Sequence, residues 1–156
     1  MKKIVVIPII AAIAVIGGYY ASPLFVKAEM NEPLPEMMRI YTPKMMSSGS
    51  FVGVGDGMHN AEGMAKVLAV NVDQIQHRIL RLENFKVTNG PDLYVYLSKD
   101  PTGINSGVIN LGRLKGNIGN QNYNITPDVN LDEYSHVLIW DKQSSVLFGH
   151  TDLKVA

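Results

Sequence analysis

The chain has 156 residues, enough for one ordinary domain plus an appendage, and its 46% apolar content sustains a packed core. Fourteen basic residues balance fourteen acidic ones, but Lys2, Lys3 and Lys27 all precede the first acid, Glu29. The remainder is therefore mildly acidic, which excludes a nucleic-acid footprint. Cysteine is absent, excluding disulfides, thiolate metal sites, iron–sulfur clusters and cysteine nucleophiles.

Lys2 and Lys3 open the chain ahead of an uncharged, mostly apolar stretch from Ile4 to Val26. As a helix, its roughly 23 residues reach about 34 Å, enough to cross a hydrocarbon core of about 30 Å. Tyr19 and Tyr20 suit an interface, and the two lysines predict a cytoplasmic N-terminus with the remainder exported. Residues 1–28 thus read as a membrane anchor, favoured by the length, or as a signal peptide cut after Ala28.

Residues 29–49 hold Pro33, Pro35 and Pro43 and a Ser47-Ser48-Gly49 run, without periodicity. Proline denies helix and ladder hydrogen bonds, so this stretch is expected to be an extended linker. Met37-Met38 and Met45-Met46 are either soft ligands for extracellular copper(I) or flexible fillers against the domain.

Residues 50–156 form the expected domain. Gly53-Val54-Gly55-Asp56-Gly57 lacks the sixth-position glycine of a dinucleotide loop, since Met58 stands there, and reads as a turn or bulge. Strands are predicted at Met64–Val70, at Arg78–Glu83 with Leu80 and Leu82 inward, and at Leu93–Ser98 with Leu93, Val95 and Leu97 inward. Further strands are predicted at Val108–Leu111, Ser135–Trp140 and Ser145–Phe148, the last two joined by a four-residue loop. Asn89-Gly90-Pro91-Asp92 and Asp100-Pro101-Thr102-Gly103 are turns, and Leu131–Tyr134 a short helical turn. Strands at this spacing predict an all-β, antiparallel β-sandwich or open barrel.

Asp56 with His59, and His150 with Asp152, are candidate divalent-metal ligands if the first and last strands are neighbours, and Asp141 would join from the hairpin. The competing reading has Asp56 capping a turn, His59 bonding to backbone, and His150 and Asp152 in solvent. His77 and His136 belong to strand faces. Trp140 and Phe148 are expected to fill the core, while Tyr94 and Tyr96 share the face opposite the leucines, lining a ligand surface or covering a second sheet.

In their order and spacing, Phe51, His59, Gly63, Phe85, Gly90-Pro91-Asp92-Leu93, Leu111-Gly112, Leu114-Lys115-Gly116, Gly119 and Gln121-Asn122-Tyr123 resemble the DM-thirteen domain. Tyr134, Val137–Trp140, Phe148-Gly149 and Leu153 extend the likeness to about 100 residues. The resemblance implies an all-β extracytoplasmic module, found beside DOMON domains in Skeletor-type proteins and alone in membrane-tethered microbial ones, with a role in electron transfer. It also implies a cysteine just after the aromatic residue of the penultimate strand, where this chain has Asp141. A carboxylate neither cycles between thiol and disulfide nor ligates haem through sulfur.

No nucleophile–base motif is present. The leading expectation is a non-enzymatic interaction module, tethered outside the cytoplasm, with a membrane or secreted protein as partner and no nucleic acid. The alternative is a redox accessory that uses copper or haem.

Overall fold

The computed structural model describes residues 28–105 and 107–156. The expected membrane helix falls outside the described residues, and among those described no helix is long and apolar enough to cross a membrane.

Among the described residues, ten strands build two antiparallel sheets. β1 (Lys44–Ser50), β3 (Ala61–Val72), β4 (Ile75–Val87), β7 (Ile118–Ile125) and β10 (Lys154–Val155) form the first, in the order β10-β1-β3-β4-β7. β2 (Val52–Gly53), β5 (Leu93–Ser98), β6 (Val108–Arg113), β8 (His136–Asp141) and β9 (Val146–Asp152) form the second, in the order β2-β9-β8-β5-β6. The chain changes sheet twice along one side, at Phe51 between β1 and β2 and at Leu153 between β9 and β10. The architecture is the expected sandwich.

Alternation explains the core. Leu93, Val95 and Leu97 from β5, Val137 and Ile139 from β8, and Leu80 and Leu82 from β4 all point between the sheets and exclude water. Phe148 joins them and Phe51 stacks edge-on against Phe85, 5.2 Å between ring centres. Trp140 does not. With Val137 and Ile139 inward, period two sends Trp140 to the outer face, half-buried opposite Tyr94 and beneath Gly103.

The linker expected over residues 29–49 is part of the domain instead. Lys44–Ser50 is a full strand between β3 and β10, pairing Lys44 with Ala69 and Ser48 with Lys154. A short helix, α1 (Glu36–Ile40), buries Met38 against Leu68, Val70 and Ile79 on the outer face of the first sheet. Residues 28–32 run along β7, with the Met30 and Glu32 amides donating to the Ile118 and Asn120 carbonyls. Proline forbade a ladder only where it stands, and β1 carries serines and methionines rather than the alternating aliphatics that announce a strand. Three of the four paired methionines pack: Met37 and Met38 hold α1 on the sheet and Met46 meets the main core, while Met45 is exposed.

β7 also lacks a sequence signature, being Ile-Gly-Asn-Gln-Asn-Tyr-Asn-Ile. Pairing makes it a strand. Tyr123 lies opposite Leu80 and Gln121 opposite Leu82, both inward, while the asparagines face out.

One end of the sandwich collects four loops. Asn60 and Thr88 exchange hydrogen bonds, the Val87 amide donates to the Asn117 carbonyl, and the Asn117 amide donates to the Ala28 carbonyl at 2.7 Å. The Lys142 amide reaches the Asp92 carbonyl. Residues 54–60, 88–92, 114–117 and 142–145 therefore lie at the same end of the sandwich as Ala28, which bonds to Asn117.

Candidate functional site at the loop end around Asp141

Asp141 closes β8 at this end and has no accessible surface. Its Oδ1 accepts the Ser144 amide at 2.8 Å and its Oδ2 the Asp92 amide at 3.0 Å, so one carboxylate staples the β8–β9 turn to the loop before β5. Burial pushes its pKa up, but the Asp92, Ser144 and Gln143 amides outweigh this and hold it below the ordinary carboxylate value. The packing is tight enough to require glycine at position 90. A side-chain carbon there would lie 2.8 Å from the Leu93 and Phe148 side chains and 2.9 Å from Oδ2 of Asp141.

The adjoining loop is held by Asp56. Its Oδ1 accepts the amides of Met58 and His59 at 2.9 and 2.7 Å, and its Oδ2 meets Nδ1 of His59 at 2.5 Å. The His59 amide, then its ring and the Met58 amide, lower the Asp56 pKa to about 2. The His59 ring stands edge-on to Phe148, 4.6 Å between centres.

The four candidate metal ligands do not converge. β2 does pair with β9, Val52 opposite His150, as the metal reading required. Yet Asp152 turns to His136, with Nδ1 and Oδ1 2.8 Å apart, and Asp56 is engaged with His59. Among the described residues no three His, Asp or Glu side chains are placed to share an ion. The set is split because Asp152 is taken by His136 and Asp56 by His59, which leaves His150, across from Val52 and Leu138, outside both pairs. Asp141 cannot join, because both oxygens face backbone amides.

A buried polar cluster completes the end, and sequence reading passed over it. Gln121 donates to the Gly116 carbonyl at 2.7 Å and accepts from the Lys115 amide and the Tyr123 hydroxyl. Burial drives the Tyr123 pKa upward. Lys115 extends Nζ to both oxygens of Glu32 at 2.9 Å and lies 5.0 Å over the Tyr123 ring, clamping the N-terminal segment to the domain. Burial raises the Glu32 pKa, but Lys115 and the Asn122 amide lower it more. A polar inward residue in a glycine- and asparagine-rich run was the signal available for this cluster. Beside it lies a cavity of about 250 Å³ among Ala28, Pro91, Arg113 and Gly116.

The outer face of the second sheet is aromatic. Tyr94 and Tyr96 stand 6.2 Å apart, Trp140 lies opposite Tyr94, and Lys142 extends over the Tyr94 ring. Tyr96 is buried there, while Tyr94 and Trp140 are partly accessible.

A two-sheet scaffold with a cross-braced loop end and structural carboxylates defines an all-β module of the sandwich class. Residues 53–153 match the family described as Electron transfer DM13, and the chain belongs to that family. No curated protein and no solved structure matches it. The match starts at Gly53, so residues 28–50, with β1 and α1, add to the sheet from outside the matched span.

Proposed function

We propose that this chain is a non-enzymatic interaction module, held outside the cytoplasm by its N-terminal apolar segment, in which thiol electron transfer has been given up. The observation that carries this reading is Asp141. It occupies the position that the resemblance assigns to a cysteine, and its buried carboxylate is spent on the backbone amides of the adjoining loops. The chain has no other thiol to take over. The donors around Asp141 do not suit haem or a soft metal ion, since N–H groups point inward where electron-pair donors are needed. What the scaffold offers a partner is the face of Tyr94 and Trp140, the residue types that dominate protein interfaces. A membrane or secreted protein fits that face.

The test is cross-linking of the full chain in intact membranes, with absorption spectra and metal analysis of the detergent-purified protein before and after reduction. We expect a cross-linked partner that is lost on Trp140→Ser, and no redox-dependent band. Stoichiometric copper, or a haem band abolished by changing His59 or His150, would instead support the second reading. That reading, an electron carrier using histidine and methionine, is favoured by the family description.

A further inference from the structure

We propose that the loop end carrying Ala28 rests on a lipid bilayer, with Val54 and Met58 seated among the headgroups, so that the sandwich has one fixed orientation on the membrane. This rests on the membrane-tether reading above and adds the face that meets the lipid.

The argument begins with slack. The Ala28 carbonyl accepts from the Asn117 and Ile118 amides, and Met30 and Glu32 continue along β7. Lys115 then fixes Glu32 from the side. No free tether therefore begins at residue 28. The uncharged stretch ends at Val26, two residues earlier, and two residues span at most about 7 Å. A bilayer that holds Ile4–Val26 is thus brought within about one headgroup layer of the sandwich end that carries Ala28.

Those loops carry apolar side chains that the fold leaves in solvent. Met58 is 70% exposed and Val54 37% exposed, in the loop between β2 and β3. Neither is there by slackness. The Asp56 carboxylate holds the loop through the Met58 and His59 amides, and the His59 ring anchors it on Phe148. A braced loop presenting two apolar side chains at the same end as the membrane exit matches an interfacial anchor, since those side chains gain by leaving water. Charge does not drive the contact. Arg113 is paired with Asp92 and Lys115 with Glu32, Lys86 lies opposite Glu62 on the neighbouring strand, and Lys142 extends over the Tyr94 ring. Seating is therefore expected to persist without anionic lipid and in salt.

The absence of cysteine makes the test direct. The full chain is reconstituted in phosphatidylcholine vesicles as Met58→Cys or Gln76→Cys, Gln76 being exposed at the opposite end, each carrying an environment-sensitive fluorophore. Nitroxide-bearing lipid should quench the label at position 58 several-fold more than that at 76, equally at low and molar salt. A Val54→Asp change should abolish the difference while the chain still floats with the vesicles. Equal quenching at the two positions on floating vesicles overturns the orientation and leaves the tether standing. A chain that washes off the vesicles overturns the tether reading, and this inference with it. Protection of position 58 that grows with protein-to-lipid ratio shows a second copy covering the loop, which also overturns it.

Discussion

Two oxygens on one buried carboxylate, each facing a different backbone amide, make position 141 intolerant of an amide. In Asp141→Asn the oxygen can serve Asp92 or Ser144, but the other N–H then faces the side chain's own NH₂. We expect a loss of about 3 kcal/mol in urea unfolding, combining one lost charge-assisted bond and one stranded donor. A loss below about 0.5 kcal/mol would show that Asp141 is not a staple. Asp56 gives a second test, since its three interactions with Met58 and His59 are made by the charged form. Its carboxyl carbon should titrate at about 2 by NMR, and a midpoint at the ordinary 3.8 would contradict the loop geometry.

The segment along β7 depends on Gly119. Its φ of 109° lies where a side chain strains the backbone, and a side-chain carbon would collide with the Met30 carbonyl and approach Asn31 Oδ1. Gly119→Ala should cost about 1–3 kcal/mol and raise hydrogen exchange at the Met30 and Glu32 amides, while amides of β5 and β8 stay protected. Unchanged exchange at Met30 would mean that residues 28–32 are not held as described. α1 is too short to persist alone and is held by Met38. Met38→Ala should therefore lower stability by about 2–3 kcal/mol, with the urea m-value unchanged.

Across the whole molecule, Glu32, Glu83 and Asp141 all have pKa values below the ordinary carboxylate value. For Glu83 the Lys66 ammonium is the main cause, with Arg81 also lowering it. A depressed folded-state pKa means that the unfolded chain binds more protons, so the stabilisation is complete above about pH 4.5 and falls away as pH drops through the folded values. The urea midpoint should fall steadily below that pH, and Asp141→Asn should flatten the slope. A midpoint independent of pH from 6 to 3 would be the contrary result (about three decades of proton activity). Topology sets a kinetic expectation too. β1 pairs with β10, Ser47 opposite Val155, so the sheet closes only when the first and last strands of the domain meet. Refolding should take about milliseconds to seconds, and a microsecond relaxation would contradict this connectivity.

Side-chain alternation was enough to place β5, β8 and the inward half of β4, because period two is written into any strand with one wet and one dry face. Composition alone ruled out thiol chemistry. Tertiary structure decided what depends on partners distant in the chain. It made strands of β1 and β7, whose serines and asparagines have no strand preference until a neighbour supplies the ladder. It turned Trp140 outward, and it engaged Asp56 with His59 and Asp152 with the unforeseen His136, leaving His150 apart from both. Ligand geometry and burial are set by register between strands many residues apart, and a linear reading holds residue types but not the vectors along which they point.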